Sequence, residues 1–236
     1  MWLFNSSIGR KFVMSLTGLA LIFFLLFHGV MNVVLVFSEP AYNWICRFLG
    51  SNWYALVGTV GLGALVFIHF AYALWLTVQN RRARGNDRYA VRAAKPGVDW
   101  ESENMLVLGL CVLGFLCLHL YHFWFHMQAA DVLSKLGLMD ISGRIASPED
   151  GAAWVRFTFC CPVLGQICCV LYLLWFCCLF LHIRHGFWSA FHTLGWDNLI
   201  WQKRLHVIST IIAALVVLPF AIVVCYYFGL GVGALL

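Results

Sequence analysis

Charge is what this sequence has least of. In 236 residues there are 15 Lys and Arg and 10 Asp and Glu, 11% of the chain, about half the share usual in a soluble domain. The shortage falls in blocks. No charged residue occurs between Lys11 and Glu39, Arg47 and Arg81, Glu103 and Asp131, or Arg156 and Arg184, and none follows Arg204. Each block exceeds the roughly 20 residues that carry a helix across about 30 Å of hydrocarbon. Lipid offers the backbone no hydrogen bonds, so these blocks are helices and not open strands. The pattern predicts an all-α integral membrane protein, a single five-helix bundle over residues 1–236, with spans at about 12–37, 53–79, 104–129, 158–185 and 205–232.

Other absences narrow the function. There is no C-x-x-C and no C-x-x-C-H, which removes thioredoxin-like exchange and covalent c-type haem attachment. Six of the ten cysteines form the adjacent pairs Cys160–Cys161, Cys168–Cys169 and Cys177–Cys178. Neighbours on a helix point about 100° apart, so such pairs neither bridge easily nor chelate and read as small packing residues. No glycine-rich phosphate loop, second domain or repeat is present. The first span lacks an A-x-A cleavage site and is too long for a signal-peptide core, so it is read as a retained helix.

Lys and Arg set an expected orientation. Arg10 and Lys11 precede the first span, Arg81, Arg82, Arg84, Arg88, Arg92 and Lys95 lie between the second and third, and Arg184, Lys203 and Arg204 lie between the fourth and fifth. The other side holds only Arg47, Lys135, Arg144 and Arg156. The N-terminus is therefore expected in the cytoplasm. The net charge of +5 follows from this topology, and no basic recognition element points to nucleic acid. Residues 130–157 form the longest outer connection and are expected to carry a short surface helix.

What the sequence does have inside these spans is histidine. The stretch "LCLHLYHFWFHM" carries His119, His122 and His126, and His28, His69 and His182 lie in spans one, two and four. Ionisable residues inside a membrane mark functional sites. His28 falls about 16 residues, roughly 24 Å, from the inner end of its span, and His119 about 15 residues from the inner end of its own. His69 and His182 both fall in the cytoplasmic half. The expectation is two facing pairs, His28 with His119 near the outer face and His69 with His182 near the inner face. Paired imidazoles about 4 Å apart, nitrogen to nitrogen, suit the axial positions of a haem iron in a helical bundle. Zinc suits them poorly, because each depth offers two ligands and no carboxylate. In an α-helix His126 would share the face of His119 about 10 Å further out, and His122 would be turned away by about 60°. His119 is the favoured ligand and His122 the runner-up; Phe123, Trp124 and Phe125 read as an interfacial belt. His185, His192 and His206 lie near the inner surface as polar interface residues, or as haem-propionate or quinone contacts. The alternative for any single histidine is a hydrogen bond that stitches helices together.

Two motifs carry a resemblance: "SLTGLALIFFLLFH", with Gly18 ten residues before His28, and "LHIRHGFWSAFHTLGW", with His182 after leucine and Gly186 four positions later. Together with five spans and four spaced histidines, including His69 in "FIHFAYALW" and His119 in "FLCLHLY", they resemble the dihaem cytochrome b anchor of succinate:quinone oxidoreductases and quinol:fumarate reductases. The single-anchor bacterial form that uses menaquinone is the nearest. The resemblance implies two haems b in the bacterial inner membrane, proximal on His69 and His182, distal on His28 and His119. It also implies a flavoprotein and an iron–sulfur subunit on the cytoplasmic face, with (mena)quinone as substrate. A dimer of the complex is compatible with it. The dicarboxylate chemistry would belong to another chain.

Propionates need cationic or hydroxyl partners, and Arg10, Lys11, Ser15 and Thr17 lie at the inner start of span one. Their alternatives are positive-inside topology for the cations and helix packing for the hydroxyls. Glu39 is the candidate acid of a quinone site, with a solvated loop residue as its alternative; His122 and His126 are candidates to line a quinone pocket. Some family members carry a Glu two residues before the fourth-span ligand, where this chain has Phe180. Rival readings are another quinol-reactive cytochrome b, of the nitrate-reductase kind, and a haem-free membrane scaffold.

Overall fold

In the computed structural model, residues 6–50, 52–84, 99–196 and 198–233 are described. Arg88, Arg92 and Lys95 of the basic connection lie outside them. The described chain is helical, without strands, and five helices are long and apolar enough to cross a membrane. They are α1 (Ser7–Phe37), α3 (Trp53–Arg84), α4 (Trp100–Lys135), α6 (Leu164–Thr193) and α7 (Leu199–Gly233). Two shorter helices, α2 (Glu39–Phe48) and α5 (Gly151–Cys160), sit at the end of the bundle opposite the chain start, called here the far end.

The long helices extend beyond the expected spans because hydropathy marks only their apolar middles. Ser6 caps α1 by accepting from Gly9 N at 2.9 Å. Ser38 ends α1 in an extended conformation and accepts from Ala41 N at 3.3 Å to start α2, with Pro40 in the first turn where a missing N–H costs nothing. The fourth span differs from its expected range, 158–185. Residues 158–160 belong to α5, and the chain breaks at Cys161–Val163 before α6 begins at Leu164. Pro162 cannot continue a helix, and Val163 takes φ 64° to make the corner. Gly165 must be small there, since a Cβ would lie 2.5 Å from the Phe159 carbonyl.

Packing is uneven. α1, α6 and α7 enclose the core and α4 lies against α6. The far half is built on Leu35, Phe159, Tyr172, Trp175, Phe176, Val223 and Tyr227. The near half is smaller, with Ile22, Leu179, Ile183, Ala213 and Val216. Gly29 admits α7 closely, since a Cβ there would stand 3.3 Å from Pro219 Cβ. α3 leans chiefly on α1, and the most apolar stretch of α3 has no buried residue.

Candidate haem-binding site

Each histidine pair joins helices that are not neighbours in sequence. His28 on α1 faces His119 on α4 with ring centroids 6.0 Å apart and planes at 82°. His69 on α3 faces His182 on α6 at 6.4 Å and 72°. None of the four is fully buried by the chain itself. Two nitrogens bonded to one iron at about 2 Å, each about 1 Å from its ring centre, put the centroids about 6 Å apart. Both pairs meet that span. Among the described residues no group of three or more His, Cys, Asp or Glu converges, so each pair brings together two imidazoles and no further side chain of a metal-ligating type.

Thr17 fixes the chemistry of the near pair. Its hydroxyl donates to the carbonyl of Val13 at 2.9 Å or Met14 at 3.0 Å, and its oxygen lies 3.1 Å from His69 Nδ1. A hydroxyl has one proton, so with that proton on a carbonyl the oxygen accepts from Nδ1–H. The lone pair is then left on Nε2, the arrangement that prepares an imidazole to ligate a metal. Glycines keep space beside the rings. A Cβ at Gly18 would come within 3.2 Å of His69 Cε1, and one at Gly109 within 3.5 Å of His182 Cε1, while Gly186 borders open space. His182 Nδ1 is buried with no partner among the described residues.

At the far pair, Asn32 Nδ2 donates to the His28 carbonyl at 2.8 Å and approaches the ring at 3.3 Å; its Oδ1 accepts from Tyr42 at 3.2 Å. Phe24 and Phe220 pack on His28, and Phe123, Tyr172 and Trp175 on His119.

The remaining candidates are dispersed. Arg10 lies over the Trp75 ring at 5.1 Å, and the Gln79 oxygen accepts from Arg10 Nη1 at 2.8 Å and Trp75 Nε1 at 3.0 Å when its amide is oriented to satisfy both. Lys11 is exposed, and Ser15 spends its hydroxyl on the Lys11 carbonyl at 2.9 Å. Glu39 is engaged at the far end: Arg156 donates to it at 2.5 and 2.6 Å and Tyr227 at 3.4 Å. Burial works against the Arg156 cation, but the carboxylate outweighs it and the net shift is upward. Where α2 meets α5 at Gly151, burial pushes the Cys46 thiol up to about 11.

The register expected for His126 does not hold. Leu120–Ala129 of α4 is π-helical, with i→i+5 bonds that widen the turn, so α-helical spacing no longer applies beyond His119. His122 Nδ1 meets Tyr172 Oη at 3.1 Å. His126 stacks on Trp154 at 4.7 Å and hydrogen-bonds Arg144, which ties the far-end connection to α4. At the near end, His206 stacks on Trp188 and lies 3.6 Å from Asp99, and His185 packs on the Trp188 edge. The buried Glu101 pairs with Arg184. Hydropathy gave no sign of that pair, because both residues stand just outside their uncharged blocks.

No protein-family model, curated protein or solved structure matches this chain.

Proposed function

We propose that this chain is the dihaem cytochrome b anchor of a succinate:quinone oxidoreductase or quinol:fumarate reductase, carrying electrons between (mena)quinone and an iron–sulfur subunit. The observation that supports it is the meeting of four histidines from four helices as two pairs with centroids 6.0 and 6.4 Å apart. Haem b, once bound, supplies one-electron oxidation and reduction inside the bilayer. The chain's own residues provide the rest. Thr17 holds His69 in the ligating tautomer, Gly18 and Gly109 leave room for a macrocycle edge, and the aromatic shell of the far pair excludes water. Under this reading the near end faces the bacterial cytoplasm, the flavoprotein and the iron–sulfur protein, and the dicarboxylate site is on the flavoprotein. A haem-free scaffold would use its histidines to stitch neighbouring helices; the bond between Thr17 and His69 fits that reading too, whereas His182 Nδ1 is buried with no partner among the described residues.

The purified chain or complex is expected to show a b-type α-band in its reduced-minus-oxidised spectrum, two haems per chain, and to copurify with flavin and iron–sulfur partners. His119→Ala is expected to remove one haem, whereas His122→Ala and His126→Ala keep both. Absence of the α-band, or retention of both haems in His119→Ala, overturns the reading. A copurifying molybdenum subunit would point to the nitrate-reductase kind instead.

A further inference from the structure

Among the described residues, Trp175 carries the one donor of the far half that the fold leaves idle beside a paired histidine. Its side chain is 8% exposed, yet Nε1 has no hydrogen-bond partner among the described residues. The ring is held by Phe115, His119, Tyr172 and Phe176, with centroids 6.0, 5.8, 5.6 and 5.6 Å away. These neighbours offer little in return. Phe115 and Phe176 have no acceptor, and the Tyr172 hydroxyl is engaged with His122. Carbonyls of a helix interior are committed to their own ladders. An indole N–H shut away without an acceptor is left with its desolvation cost uncompensated, a cost that an apolar aromatic side chain would not carry.

Its location says what the acceptor is. Trp175 precedes His182 on α6 by seven residues, about two turns or 10 Å, and touches His119 of the other pair. It therefore stands between the two histidine pairs, in contact with the far one. Apart from its ring nitrogens, haem b brings only two strong hydrogen-bond acceptors, its propionate carboxylates. We infer that Trp175 Nε1 donates to a propionate of the haem held by His28 and His119, a carboxylate turned toward the bilayer interior. The inference rests on the dihaem reading. A donor on that carboxylate favours the reduced iron, because part of the propionate's negative charge no longer stabilises the ferric state.

Trp175→Phe keeps a six-membered aromatic ring at the site and removes the N–H together with the smaller ring that carries it. It is expected to retain both haems and to move the reduced/oxidised equilibrium of the far haem about three- to tenfold toward the oxidised form, a midpoint about 30–60 mV lower at 59 mV per decade. The direct readout is the indole N–H hydrogen-bond marker in ultraviolet resonance Raman, isolated as wild type minus Trp175→Phe. That band is expected to report a strong hydrogen bond in the haem-loaded protein and in His69→Ala, which keeps the far haem, and a free N–H in His119→Ala. A strong bond that persists in His119→Ala assigns the acceptor to water or to the other haem and overturns the inference. So does a free N–H in a protein that carries both haems. A preparation without haem sinks the dihaem reading first, before this test applies.

Discussion

Thr17 does two things with one hydroxyl. Its proton satisfies a carbonyl of its own turn and its oxygen orients His69, so one small side chain sets which nitrogen of the imidazole is free. Outer-shell partners of metal ligands are worth about 10–100-fold in affinity. Thr17→Val, which keeps the shape and removes the oxygen, is expected to lower occupancy of the near haem alone. Haem per chain, read with the α-band of each haem resolved by redox titration, checks it; unchanged occupancy and potential of the near haem would refute the role assigned to Thr17. At this scale the sequence reveals part of the site. His28, His69, His119 and His182 are visible because an imidazole in an uncharged block is conspicuous. Thr17 is visible only as a hydroxyl near an end, and its partner across 52 positions is a tertiary fact. Asn32 and Trp175 give no signal at all, since polar edges and aromatics are common in such helices.

At the scale of elements, the far end is stapled where two short helices cross. Asn43 donates to Asp150 Oδ1 at 2.8 Å and accepts from Ala152 N at 2.9 Å, while Asp150 accepts from Ala153 N at 3.0 Å, so α2 completes the N-terminal cap of α5. The crossing is tight enough to need glycine. A Cβ on Gly151 would stand 2.5 Å from Cys46 Sγ and 2.9 Å from Tyr42 Cε1. Gly151→Val is expected to push α5 off α2 and destabilise the protein by about 1–3 kcal/mol, the usual cost of overpacking. A lowered midpoint in detergent denaturation measures it, and an unshifted midpoint counts against the crossing. The five long helices are legible in the sequence because hydropathy averages over 20 residues. The π-helical segment and the break at Cys161–Val163 are local departures that such averaging erases, though Pro162 marks the break for a reader who looks for it.

For the whole molecule, the charge pattern makes a prediction about which way it faces. The near end gathers most of the Lys and Arg, and the proposed complex requires that end in the cytoplasm. Ser142 is exposed in the far-end connection and Gln202 is exposed in the first turn of α7. In intact cells a membrane-impermeant maleimide is expected to label Ser142→Cys above the parent's background, and Gln202→Cys only after permeabilisation. The reverse pattern inverts the molecule and removes the proposed partners from its near end.

The loose seating of α3 also bears on how the protein is made. His182 leaves the ribosome 113 residues after His69, about 6–23 s later at ordinary translation rates. Through that interval α3 is in the bilayer with α1 as its main support, and the helix that bears its ring partner does not yet exist. On the proposed dihaem reading, haem delivered late would close the bundle as well as load it, and a chain made without haem would stay open along α3 to membrane proteases.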